Sequence, residues 1–175
     1  KSIVMTVNSG FIPDDHWTQN LKIGGGRVIG ECCHFIDLAR FLVGKKISTI
    51  DAKGVMLKSN SRKTVTDTFT IAISFDDGSV AAIHYFSNGA ANFPKERIEV
   101  FTEGKILQLD NFRKLKGYGW NDFKKFNLFR QDKGQEACVR AFIHALKSGN
   151  PCIPEEEIFE VSHATLKAHE ILLNQ

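Results

Sequence analysis

At 175 residues, the chain is long enough for one domain with a substantial core and barely long enough for two small ones. Hydrophobic residues make up 42% and charged residues 25%, with a formal net charge of only +3, the balance of an ordinary soluble globular protein. No apolar run approaches the ~18–20 residues of a membrane span, no signal peptide is visible, and the scattered basic residues argue against both a membrane and a nucleic acid as partner.

Ser2 to Asn8 alternates loosely and is β-rich, so it reads as a strand. The chain thus starts at Lys1, without a methionine, and enters a strand almost at once, which suggests a segment of a longer protein. Ser9 to Ile23 carries turn residues (Gly10, Pro13, Asp14, Asp15, Asn20) around His16 and Trp17, and reads as a long loop of the functional kind. Gly24-Gly25-Gly26 then opens a helix from about Arg27 to Val43, stopped by Gly44. It is apolar round most of its circumference and so predicted to be buried.

Five strands follow: Ile47 to Leu57, Asp67 to Phe75, Ser79 to Phe86, Arg97 to Thr102 and Lys105 to Leu109. Asp76-Asp77-Gly78 and Glu103-Gly104 supply tight-turn chemistry between them, and such closely spaced antiparallel strands read as a meander. Lys58 to Thr66 reads as an exposed loop. Arg113 to Tyr118 and Lys124 to Phe129 add two further candidate strands. Their lysines, interleaved with Tyr118 and Trp120, resemble a nucleic-acid stripe, but a solvated sheet edge protected by lysine is the favoured reading. Two helices close the chain, Lys133 to Lys147 and, after Pro154, Glu155 to Leu173, whose acidic first turn complements the helix dipole.

The fold class is therefore α+β: a large open, mainly antiparallel sheet with a buried N-terminal helix and two C-terminal helices packed on one face. Residues 1–175 read as a single domain. The four cysteines, Cys32, Cys33, Cys138 and Cys152, lack any framework spacing and read as reduced thiols of a cytoplasmic protein. Adjacent helical side chains such as Cys32 and Cys33 point about 100° apart, which argues against a shared metal ion.

Chemistry concentrates between Gly24 and Gly44. Glu31, His34 and Asp37 recur at spacing three and form a short polar ribbon on an otherwise apolar helix. Buried ionisable groups cost free energy unless they are paired or used. His34 has two readings here: a general acid/base, because imidazole titrates near neutral pH, or a core histidine bonded to Glu31. Gly24-Gly25-Gly26 follows a loop rather than a strand, so it is rejected as a phosphate cradle.

This stretch resembles the C-terminal domain of the glucose-fructose oxidoreductase/inositol dehydrogenase/MocA family, whose helix reads G-G-G-x-x-x-D-x-G-x-H-x-x-D. Gly24, Gly25, Gly26, His34 and Asp37 match position for position, and the order of elements matches over nearly the whole chain. More narrowly, Asn8 to Pro13, Asp15-His16-Trp17 and the GGGR-IGE-CHF-D helix resemble one subgroup. The family aspartate four residues before the histidine falls on Gly30 here, and the nearest carboxylate is Glu31.

The resemblance implies a hydride transfer on a sugar, sugar-nucleotide or cyclitol. NAD or NADP would be bound mainly by an N-terminal Rossmann domain absent from this chain, and the isolated domain would be inactive. His34 would be the acid/base with Glu31 as second catalytic group, and Asn8, His16, Trp17 and Asp37 would contact the substrate. Implied partners are that Rossmann domain and a second subunit docked on the open sheet face. The alternatives are a non-catalytic dimerisation module and a carbohydrate-binding domain.

Overall fold

The structure, a computed structural model, describes residues 1–13, 15–55 and 67–175. The loop expected over Lys58–Thr66 lies outside them, as does the end of the strand expected from Ile47 to Leu57. The expected entry strand is present as β1 (Ser2–Asn8), with Ile3, Met5 and Val7 buried on one face. The helical run is split. A wider π-helical turn, Val28–Cys32, leads into α1 (Cys33–Val43), and Gly44 ends it with φ +73°.

The strands are β2 (Ile47–Gly54), β3 (Phe69–Phe75), β4 (Val80–Phe86), β5 (Glu96–Thr102), β6 (Lys105–Asp110), β7 (Lys114–Tyr118) and β8 (Lys125–Asn127), followed by α2 (Gln135–Ser148) and α3 (Glu155–Leu173). The eight strands form one open sheet in the order β2-β3-β4-β1-β5-β6-β7-β8. This corrects the simple meander: β1 is inserted between β4 and β5. It runs parallel to β4 (Val4↔Ala82) and antiparallel to β5 (Val4↔Glu99). Every other pair is antiparallel, so the sheet is mixed but mainly antiparallel. Lys114 and Lys116 lie exposed on β7, beside the edge strand β8, as expected of a charged sheet edge.

The core lies on one face of the β2-β3-β4-β1 half. Ile3, Met5, Val7, Ile71, Ile73, Ile83 and Tyr85 from the sheet join Val28, Cys32, Ile36 and Ala39, and α3 adds Val161, Ala164, Ala168 and Leu172. Burying each large side chain contributes about 1.5–3 kcal/mol. α3 packs on both β2 and α1. Arg40 fixes the angle between the helices: it is buried in α1, and its Nε donates to Glu160 of α3 at 3.0 Å. The same carboxylate accepts the Ile47 amide at the start of β2. No residue of α2 is buried. The main contacts of α1 and α3 with the sheet fall on β4 and β2, and a cleft opens between α1, the turn from β6 to β7 and the start of α2.

Candidate active site

Three consecutive glycines set the entrance to the helix. A side chain on Gly24 would meet the Trp17 carbonyl oxygen at 2.7 Å and the Thr18 Cα at 2.6 Å, so the 9–23 loop needs glycine there to fold back. Gly25 and Gly26 follow with φ of +70° and +78°, a region open to glycine at little cost. In that loop His16 caps a single 3₁₀ turn (Trp17–Gln19), its Nδ1 lying 2.8 Å from Thr18 Oγ1. Trp17 stays exposed, tilted against the His16 ring with centroids 5.9 Å apart.

Glu31 sits in the π-helical turn and faces the sheet. It accepts from the Tyr85 hydroxyl at 2.5 Å and from Lys95 Nζ at 2.7 Å, and pairs with Arg27 one turn earlier. Arg27 also donates to the Tyr85 hydroxyl at 2.8 Å. Tyr85 is fully buried on β4 and stacked on Phe69, with centroids 5.1 Å apart. Burial alone would raise the Glu31 carboxyl. The bonds from Lys95 and Tyr85 and the Arg27 charge outweigh it and hold the group below the usual carboxylate range. Burial, and then the adjacent Glu31, push the Tyr85 phenol above its ordinary value. A protonated phenol therefore donates to an ionised carboxylate at neutral pH.

This geometry removes the reading of His34 as a core histidine bonded to Glu31. His34 is exposed on α1, and its ring has no hydrogen-bond partner among the described residues. It lines a cavity of about 710 Å³ shared with Glu31, Asp37, Glu96 and Lys133. A second lobe of about 570 Å³ adjoins it across His34, Asp37 and Phe112, and reaches Phe41 and Glu157. The three members of the polar ribbon thus line one cavity.

Asn8 is placed differently. It is buried at the end of β1, where its Nδ2 donates to the Ala90 carbonyl at 2.8 Å and to that of Phe93 at 3.3 Å. Its amide donates to the Lys95 carbonyl at 2.8 Å. Asn8 therefore holds the 87–95 loop, whose last residue, Lys95, reaches Glu31. Neither Asn8, His16 nor Trp17 lines the two lobes.

The far wall comes from residues that no sequence pattern singles out. In the 111–113 turn from β6 to β7, Asn111 and Phe112 have φ of +51° and +48°, and the Arg113 amide donates to the Asp110 carbonyl at 3.0 Å. The left-handed backbone costs a phenylalanine on the order of 1–3 kcal/mol, and its surroundings fix it. Asn111 Oδ1 accepts the Glu96 amide at 2.9 Å, the Asp132 amide donates to the Phe112 carbonyl at 3.1 Å, and Lys133 Nζ stands 5.5 Å over the Phe112 ring. Lys133 also donates to the buried Glu96 carboxylate at 2.6 Å. Among the described residues, no group of three or more His, Cys, Asp or Glu side chains is arranged to hold a metal ion, and no helix is long and apolar enough to cross a membrane. Cys32, Cys33, Cys138 and Cys152 are free thiols.

Residues 2–108 match the family model described as the GFO/IDH/MocA C-terminal domain. Among curated proteins, "Uncharacterized oxidoreductase YrbE" of Bacillus subtilis (strain 168) is 27% identical over 95 residues, 53% of this chain and 28% of that protein. Among solved structures, UDP-N-acetylglucosamine 3-dehydrogenase GnnA from Acidithiobacillus ferrooxidans superposes with a TM-score of 0.76 at 17% identity, covering 99% of this chain and 54% of that one. An oxidoreductase from Agrobacterium radiobacter, in complex with NAD+, L-tartaric acid and magnesium, gives 0.71 at 18% identity, covering 99% and 54%. The chain thus spans about half the length of these solved relatives and less of the curated one.

Proposed function

Because the chain belongs to the GFO/IDH/MocA family through its C-terminal domain, we propose that it is the substrate-binding half of an NAD(P)-dependent oxidoreductase. On this reading it acts on a hydroxyl or ketone of a sugar, sugar-nucleotide or cyclitol in the cytoplasm, within the subgroup that its GGGR-IGE-CHF-D helix resembles. The observation that carries it is the placement of His34: an unengaged imidazole on the wall of a cleft that also presents Glu31 and Asp37.

The described residues do not suit the dinucleotide itself. Gly24 is required by its own loop, against Trp17 and Thr18, and among the described residues no glycine-rich turn leads from a strand into a helix. That role is assigned to a Rossmann domain as the other half of the enzyme, and a bound nicotinamide would supply the hydride acceptor or donor there.

This chain's own residues manage the proton and the fit. His34 takes the hydroxyl proton as the carbon is oxidised and returns it in the reverse direction. Glu31, kept ionised by Lys95, Tyr85 and Arg27, presents a fixed carboxylate on the wall of the same cavity. Asp37 accepts a substrate hydroxyl from the next turn of α1. His16 and Trp17, on the exposed loop outside the two lobes, offer a donor and a flat face, and Asn8 acts on the site through the 87–95 loop.

Replacing His34 with Ala in the polypeptide that includes the dinucleotide-binding half tests the proposal. Turnover is expected to fall by roughly 10²–10⁴-fold with nicotinamide binding retained; unchanged turnover would defeat it. The 175-residue chain alone is expected to show no NAD(H) binding by calorimetry.

A second role is compatible with the first. The sheet face opposite the helices exposes Val80 and Phe101 at 47% and 39%, on the strands that flank β1. We assign that face to a second subunit, and light scattering of the chain before and after Phe101→Asp checks it.

A further inference from the structure

We infer that the part of the substrate entering the cleft is an uncharged or amino-bearing polyol, and that this cleft discriminates against phosphate and carboxylate groups. The inference rests on reading the cleft as the substrate site.

Four carboxylates, Glu31, Asp37, Glu96 and Glu157, line the two lobes, against one ammonium, that of Lys133. Among the described residues, the cations paired with these carboxylates are already committed. Lys133 is bonded to Glu96 at 2.6 Å, Lys95 and Arg27 hold Glu31, and Arg40 lies between Glu157 at 3.6 Å and Glu160 at 3.0 Å. An entering anion would have to break one of these pairs or go without a counter-charge.

Two further observations give the cleft its sign. Asp37 is exposed on the shared wall of both lobes and has no ion pair among the described residues. Glu96 is only 3% exposed, and its Oε2 is buried without a hydrogen-bond partner among them. A carboxylate with unused acceptor capacity in a wall of low dielectric calls for an N–H or O–H donor, and its field reaches across the cleft. Hydroxyl and ammonium groups meet that demand, whereas phosphate and carboxylate oxygens add acceptors where donors are wanted.

The experiment titrates the ¹⁵N-labelled chain with glucose, glucosamine, glucose 6-phosphate and glucuronate at equal concentrations and low salt, following the amides of Glu31 to Leu38 and of Phe112. The expected result is shifts with glucose and glucosamine, and binding at least about tenfold weaker for the two anions, a gap that narrows with added salt. Asp37→Asn is expected to improve the anions relative to glucose. Equal or tighter binding of the anions, an unchanged gap in Asp37→Asn, or no shift at these amides with any of the four sugars would each overturn the inference. The His34→Ala turnover measurement fails independently. Lost turnover together with anion preference sinks the charge assignment alone, whereas unchanged turnover with the expected sugar pattern sinks hydride transfer and leaves a sugar-binding cleft.

Discussion

The Tyr85 hydroxyl donates to Glu31 across 2.5 Å, joining the buried middle of the sheet to the π-helical turn that launches α1. Removing only that hydroxyl tests the link. Tyr85→Phe keeps the ring stacked on Phe69 but leaves Glu31 with fewer donors. It is expected to cost about 1.5–3 kcal/mol, the range for a hydrogen bond to a charged group, read as a lower urea midpoint with an unchanged m-value.

Glu31 also predicts an acid-sensitive phase. Its folded pKa lies below the ordinary 4.5, so between those values the unfolded chain binds the extra proton. The stabilisation is complete above 4.5 and is lost as pH falls through the folded value. In Glu31→Gln, stability is expected to be lower at neutral pH and the deficit to shrink below pH 4.5, followed by urea denaturation across that range. A constant deficit would mean that the side chain acts through packing rather than charge.

His169 acts in a higher window. It is half-buried in α3 with Nδ1 lacking a partner among the described residues, and burial lowers its pKa from the ordinary 6.5. A depressed imidazole stays neutral in the fold while the unfolded chain takes up a proton. Stability is therefore full above pH 6.5 and declines as pH drops through 6.5 towards the folded value. His169→Leu is expected to flatten that decline and leave the Glu31 phase below pH 4.5 in place, as measured by thermal melts at stepped pH.

Gly24→Ala tests the loop that approaches the helix. Its new methyl would lie 2.6 Å from Thr18 Cα and 2.7 Å from the Trp17 carbonyl oxygen, both backbone atoms that cannot swing aside. The 17–19 turn is expected to detach from the glycine run, seen as faster amide exchange at Thr18 to Gly24 and changed Trp17 fluorescence. The β2-β3-β4-β1 core should keep its protection.

The parts of this fold written in local pattern were legible in advance. Alternation marked β1, Gly44 marked the end of α1, and Glu103-Gly104 marked the hairpin between β5 and β6. Insertion of β1 between β4 and β5 was not legible, because both partners lie far along the chain and no short-range pattern encodes a parallel pairing. At the site, spacing three marked Glu31, His34 and Asp37 as a polar ribbon, and all three line one cavity. It missed that Glu31 also turns to the sheet, because the wider π-helical turn and the receiving Tyr85 and Lys95 carry no periodic signal. Phe112 was equally hidden: a phenylalanine with positive φ contradicts its own propensity and is held by Asn111, Asp132, Lys133 and its packing against the core.

The central position of β1 governs the timing of folding. β1 precedes both of its ladder partners, β4 and β5, in the chain, so during synthesis the pairing of Ile3, Met5 and Val7 waits for strands made many residues later. Closing such distant contacts is slow, because loop entropy is lost before any pairing rewards it. The interval is also when a strand of this composition is most open to capture by another chain. Yield from synthesis should accordingly respond more to chaperone supply and translation rate than the stability of the finished sheet would suggest.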